Sequence, residues 1–442
     1  MPIEFGYHSS SCKSAEMGAL MIEAGHERQF LSALFSSAVR AADPESLIAT
    51  YLPSPPKGRV IVVGAGKAAS QMAAAFERVW KGSCEGVVVA RHGPVAKTNF
   101  IRVLTAAHPV PDSSGLEASK ALLSAVSDLT ADDLVIALIS GGGSALLPAP
   151  PEGFSLDDEV ILNRALLRSG APISAMNCVR QHFSRIKGGR LAAAAYPARV
   201  VTLIVSDIPG DHPAYVASGP TVPSESNAQE ARAIIEDYRI DLPAAIREAI
   251  FLAHAPKPSE SIFQHNEIYV IASARLSLEA ARLESKRLGL EAVILSDAIE
   301  GEARDIGAMH AALAREVVLN NAPFERPIVL LSGGETTVSL AAGTQGRGGR
   351  NGEFLLSFAL AIQGLNGIHA LAADTDGIDG TESNAGAFAD SNTAGAIRAA
   401  GLDGRALLLA HRSYDAFEQI GALFSPGPTG TNVNDFRAIL IQ

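Results

Sequence analysis

RVIVVGAGKAASQMAAAFERVW, residues 59–80, opens on an unbroken apolar run, breaks at two glycines and continues as an alanine-rich segment. That order predicts a buried strand, a tight turn and a helix. The unit then recurs along the chain. GVVVARH (86–92) predicts a second strand, and DSSGLEASKALLSAVSDL (112–129) a helix that starts on good N-cap residues. DDLVIALISGGGSALL (132–147) predicts strand, glycine loop and helix start; ARVVTLIVSDIPGDHP (198–213) predicts a strand running into an acidic loop. Continuous Val/Ile/Leu strands alternating with helices describe a mostly parallel sheet covered on both faces.

At 442 residues the chain exceeds one ordinary domain and points to two. A helix signal, HERQFLSALFSSAVRAADPESLIATYL, precedes the first strand. The Pro/Ser-rich HAPKPSESIFQHN (254–266) marks the expected boundary, after which the pattern restarts with EIYVIASARLSLEAARLESKRLG (267–289). EAVILSD (291–297), RPIVLLSGGETTVSL (326–340), GIHALAADTDGIDG (367–380) and a final FRAILIQ follow. VIALISGGGSALL and IVLLSGGETTVSL are alike, which we read as chance similarity between two strand–turn units.

A net charge of −11 argues against a nucleic-acid partner, whose grip on phosphates needs a basic surface. Cys12, Cys84 and Cys178 are an odd, widely spaced trio, read as free thiols in a reducing compartment. No apolar run reaches the roughly 20 residues of a membrane helix, and the N-terminal lead-in lacks the form of a signal peptide. A cytoplasmic protein is expected, with no membrane partner. Its oligomeric state, a homodimer included, is left open.

Ligands of open parallel sheets sit outside the carboxyl ends of the strands. Glycine-rich polar segments follow strands at GAGK (64–67), SGGGSA (140–145), SDIPGD (206–211), SGGETT (332–337) and DTDGIDG (374–380). A shared cleft is the economical explanation. GAGKAA lacks the spacing of a Walker loop but fits G-x-G-x-x-A, a dinucleotide turn, with Arg91 near the next strand end. Gly64 and Gly66 with Lys67, and Ser140, Gly141, Gly142, Gly143 and Ser144, are candidate phosphate-binding positions, because glycine lets backbone N–H groups approach an anion. Gly333, Gly334, Glu335 and Thr336 are read the same way. Asp207, Asp211 and Asp376 make sense beside a phosphate only with a cation between them, and magnesium takes one or two carboxylates plus phosphate oxygens. In MNCVRQHFSRIKGGRLA (176–192), Arg180 and Lys187 are candidates for gripping an acidic substrate. His108 and His212 are lone loop histidines. No zinc-ligand spacing or GxSxG elbow occurs. TQGRGGRNGE (344–353) sets Arg347 and Arg350 among glycines, where they would balance polyphosphate charge.

HPVPDSSGLEAS, LISGGGSALLPAP, MNCVRQHFSRIKGGRLA, SDIPGD with VASGPTVP, SGGETTV, GRGGRNGEF, DTDGIDG and GPTGTNVNDFRAIL resemble, in this order, the type II glycerate kinases, also called the glycerate 2-kinase or MOFRL family. The resemblance runs from about residue 28 to the C-terminus. It implies a larger Rossmann-like three-layer domain with a mostly parallel sheet (1–258) and a smaller C-terminal α/β domain (259–442) holding the MOFRL segment (about 325–437). The active site would lie in the cleft between them. The activity implied is ATP- and Mg²⁺-dependent phosphorylation of D-glycerate, giving 2-phosphoglycerate, with Lys67 and Arg350 as the functional lysine and arginine. The pattern departs at Gly352, where a larger polar residue is commoner. The rival readings are an NAD(P)H-dependent hydroxypyruvate reductase and a glycerate 3-kinase.

Overall fold

Six strands, Val60–Ala65 (β1), Glu85–Arg91 (β2), Ile101–Ala106 (β3), Leu134–Ser140 (β4), Arg199–Val205 (β5) and Glu267–Ala272 (β6), form one sheet in the computed structural model, which describes residues 22–340 and 346–442. The N-terminal lead-in with Cys12, and Thr344 and Gln345 of the arginine–glycine stretch, lie outside the described residues. The order is β3-β2-β1-β4-β5-β6 and every pair is parallel, the arrangement of a dinucleotide fold. β1 and β4 are buried at every residue because helices cover both faces, which is why their sequences are continuous rather than alternating.

The second sheet is mixed. Ala292–Glu302 (β7), Ile328–Thr337 (β8), Ile368–Asp374 (β9), Gly386–Asp390 (β10), Leu423–Phe424 (β11) and Asp435–Ile441 (β12) lie in the order β11-β10-β9-β12-β8-β7. Only β7 and β8 pair in parallel; β12 enters antiparallel between β9 and β8.

Two expectations need correction. β6 lies beyond the 258/259 boundary, yet it bonds β5 and completes the first sheet. The Pro/Ser-rich stretch is therefore a connection within that unit. The helix Glu27–Arg40, expected with the first domain, buries Phe30, Leu31, Leu34 and Phe35 against Leu278 of the helix Ala274–Arg287 and Phe436 and Leu440 of the second sheet. An amphipathic stripe specifies an apolar partner but not which one.

Candidate functional site

In the first sheet the connections from β1 and β4 leave in opposite directions, which opens a crevice at their carboxyl ends. The turn after β1 closes on the protein itself. The N–H of Gly66 donates to the Val89 carbonyl (3.1 Å), that of Lys67 to the Gly141 carbonyl (2.8 Å), and that of Ala68 to Ser140 Oγ (3.0 Å). Gly66 has φ +136°, and a Cβ there would stand 2.2 Å from Ser140 Oγ; one on Gly64 would stand 2.3 Å from the Leu138 carbonyl oxygen. Gly64, Gly66 and Ser140, expected at a phosphate, thus serve the close approach of β1 to β4. The amides that a dinucleotide turn offers its pyrophosphate are already occupied.

What the turn projects is Lys67, whose Nζ lies 3.8 Å from Asp207 Oδ2 just past the end of β5. A Cβ on Gly141 would lie 1.7 Å from that oxygen, so glycine is what lets the carboxylate cross the loop. Gly142 sits beneath the Lys67 side chain and His108 Nε2. The helix Gly143–Leu146 has no side-chain cap, and Ser144 Oγ shares a 2.8 Å hydrogen bond with Ser218 Oγ. Burial pushes the Asp207 carboxyl above the ordinary range; Lys67 opposes the shift and Glu335 adds to it. Burial, then Lys67 and Arg91, push His108 down, against Glu335, which favours the uncharged ring.

The second sheet contributes Arg350, the first residue of the helix Arg350–Ala361. Its Nε donates to Asp435 Oδ1 (2.6 Å), Nη1 to Glu335 Oε1 (3.1 Å) and Nη2 to Asp374 Oδ2 (2.8 Å). Asp435 also accepts from Arg437 Nη2 (2.5 Å) and from the Thr336 N–H and hydroxyl (3.1 Å each). Burial disfavours the charged form of Asp435, but Arg437 and Arg350 outweigh it and hold the carboxyl low. Asp374, pushed up by burial and by Asp376 against the pull of Arg350, sits well above the usual range. Asp379 caps the helix, accepting from the N–H groups of Asn351 (3.0 Å) and Gly352 (2.8 Å). A Cβ on Gly349 would be 2.3 Å from Asp379 Oδ1, and one on Gly352 2.7 Å from Ser413 Oγ. The glycines around Arg350 therefore bring backbone onto Asp379 and Ser413, and Gly352 has a local packing reason.

Both halves meet at Asp207. Asn434 Nδ2 donates 2.8 Å to the Asp207 carbonyl, and Asp207, Asp211, Asp297, Glu300 and Glu335 line one narrow cleft between the sheets. Asp207, paired with Lys67, and Glu335, held by Arg350, thus line the same cleft. Among the described residues no three acidic, His or Cys side chains are gathered as a ready-made metal site. A cation here would draw on one or two carboxylates and complete its shell with substrate oxygens and water, a pattern that suits magnesium.

Other expected residues lie elsewhere. Arg347 faces outward, 2.9 Å from Asp415, 3.2 Å from Glu418 and 3.4 Å from Glu382, with its guanidinium over Tyr414. Lys187 is buried in a 2.7 Å pair with Glu159. Arg180 bonds Asn163 (2.9 Å) and Asn177 (3.4 Å), and burial pulls its pKa down to about 10. Gly333 and Gly334 are strand residues opposite Phe436 and Asp435, not an anion loop. The Asp376 carboxylate closes a turn on the Ile378 N–H (2.8 Å) and accepts from Asn432 (3.2 Å). Asp435, Arg437 and Asp297 were not singled out from the sequence. The one available signal was Asp435 and Arg437 at i and i+2, charged residues on one face of an otherwise apolar strand.

Comparison with known proteins fits this geometry. A family model described as a domain of unknown function, DUF4147, matches residues 30–251, and the MOFRL family model matches residues 328–435. A D-glycerate 2-kinase of Thermotoga maritima is 38% identical over 410 residues, covering 92% of this chain and 97% of that protein. The chain belongs to the type II glycerate kinase family. The crystal structure of a Thermotoga maritima glycerate kinase superimposes with a TM-score of 0.83 at 36% identity, covering 94% of this chain and 99% of the other. An Agrobacterium vitis protein named putative hydroxypyruvate reductase is 50% identical over 416 residues, 94% of each chain. Members of the glycerate kinase family thus carry two kinds of name, and the site chemistry has to decide between them.

Proposed function

We propose that this member of the family is an ATP-dependent kinase that phosphorylates D-glycerate at the 2-hydroxyl, giving 2-phosphoglycerate and ADP. The observation that carries the reading is the Lys67–Asp207 pair facing the Glu335–Arg350 pair across one cleft. Phosphoryl transfer asks a protein mainly for positioning and charge balance. Asp207, with its raised pKa, accepts the substrate hydroxyl proton as the oxygen–phosphorus bond forms and the bond to ADP breaks. Lys67 neutralises charge gathering on the transferring group. Arg350 is a positioning residue, because three of its donors hold Glu335, Asp374 and Asp435. Mg²⁺, when bound, would neutralise phosphate oxygens, with Asp211 and Glu335 the carboxylates of the cleft that could hold it while Asp207 serves as the base. No helix among the described residues is long and apolar enough to cross a membrane; a cytoplasmic location is our reading.

The reductase name of the 50% identical relative is the one observation for a second reading. The occupied amides after β1 weigh against it, as does a cleft rich in carboxylates that hydride transfer does not need. Incubation with ATP, Mg²⁺ and D-glycerate, with the phosphoglycerate isomer identified by NMR, tests the proposal. The 3-isomer would correct the regiochemistry. Oxidation of NADPH by hydroxypyruvate, without turnover of ATP, would replace the kinase reading.

A further inference from the structure

Arg350 also lines a second cavity, of about 420 Å³. Its walls include Thr337, Val338, Gly348, Thr381, Glu353 and His411, and Arg350 borders it. That volume is in the range of small-molecule sites, roughly 300–1,000 Å³. Gly348 and Gly349 bring backbone to the lining, and Val338 and Leu340 bring apolar side chains, the kinds of surface that suit a planar base. Glu353 supplies the polar feature. Its carboxylate is 2% exposed; Oε2 lies 2.9 Å from His411 Nδ1, and Oε1 has no hydrogen-bond partner among the described residues. A buried carboxylate oxygen without a donor is costly, and a hydroxyl pair from a sugar is the kind of donor that an acidic side chain receives in nucleotide sites. Arg350 joins the two clefts physically. It borders this cavity and its Nη1 holds Glu335, which lines the other.

We infer that this cavity holds the nucleoside of the phosphoryl donor, with the ribose hydroxyls at Glu353 and the phosphates running past Arg350 toward Lys67. The assignment rests on the kinase reading above and adds to it the place and chemistry of the donor's non-reacting end. Of the three glycine loops expected at the phosphates, GAGK and SGGGSA do not line this cavity, and SGGETT reaches it only through Thr336 and Thr337.

Thr381 is exposed on the rim, so Thr381→Trp fills the cavity without entering the core. Thr381→Trp raises KM for ATP at least about tenfold and leaves KM for D-glycerate in place, with an unchanged melting temperature. In calorimetry, 2′,3′-dideoxy-ADP binds the wild type about tenfold more weakly than ADP, and the difference shrinks in Glu353→Gln, whose neutral amide oxygen accepts more weakly. A Thr381→Trp protein that keeps the wild-type KM for ATP, or a dideoxy penalty that is undiminished in Glu353→Gln, overturns the nucleoside assignment while the kinase reading stands. Should Glu353→Gln not fold, Thr381→Trp carries the test alone. A wild-type protein that transfers no phosphoryl group from ATP to D-glycerate overturns both.

Discussion

Gly141→Ala is a one-methyl change whose effect is set by a single contact. Gly141 does not have a left-handed backbone, so alanine is admissible there and removing a glycine stabilises the chain by about 0.4–1 kcal/mol through the unfolded state. The added Cβ, however, would stand 1.7 Å from Asp207 Oδ2, 1.9 Å from Cγ and 2.2 Å from Oδ1. All three distances fall short of the 3.0 Å that real Cβ atoms respect, so the carboxylate must retreat by more than about 1 Å. A displacement of that size costs on the order of 10²-fold in rate. Deleting the base altogether in Asp207→Asn costs about 10²–10⁴-fold. Because both changes act through one group, the double variant is expected to be no slower than Asp207→Asn within about threefold, where independent effects would multiply. The assay is kcat/KM for D-glycerate at saturating ATP and Mg²⁺, with melting temperatures as the control. Wild-type turnover by Gly141→Ala, or multiplying losses in the double variant, would refute the placement of Asp207 at the reacting centre.

Other outcomes follow from the same geometry. The acid limb of kcat/KM should lie above the ordinary carboxylate range, since burial raises Asp207; Lys67→Met removes the opposing cation and should shift that limb to still higher pH while lowering kcat about 10²–10³-fold. An unmoved limb would dissociate Lys67 from Asp207. The two arginines of GRGGR should separate cleanly. Arg350→Ala leaves buried Asp435 and Asp374 short of a guanidinium and should cost about 3–5 kcal/mol in urea melts, along with most activity. Arg347→Ala removes an outward-facing cluster and should leave both the urea midpoint and kcat nearly unchanged. Asp379 has a folded pKa of about 6, raised by burial against the helix N–H bonds. The stability it contributes is complete below its unfolded pKa and is lost as pH rises through 6. Wild type should lose roughly 2 kcal/mol relative to Asp379→Asn between pH 4 and pH 7, read from paired urea melts.

The individual strands and the glycine turns that end them were legible in the sequence, because apolar runs of strand length bounded by glycine have few other uses. Lys67, Asp207 and Glu335 were legible as candidates, since charged residues at strand ends of such a sheet point to a ligand, and Arg350 from the glycine-rich loop that precedes its helix. What the sequence did not carry was partnership. Nothing in EIYVIA says that it completes the first sheet, and nothing in FLSALFSSAV says that its stripe rests on the second. The same limit applied at the site. Arg347 and Arg350 are near-identical in local context, yet one meets surface carboxylates and the other buried ones. Lys187 reads as a free cation until Glu159, distant in sequence, neutralises it. Local pattern fixes which residues form an element and which are charged, because propensity and periodicity act over a few residues. Which charge meets which, and hence which cation remains free for a substrate, is decided by contacts far apart in sequence, where burial makes an unmatched charge too costly to leave alone.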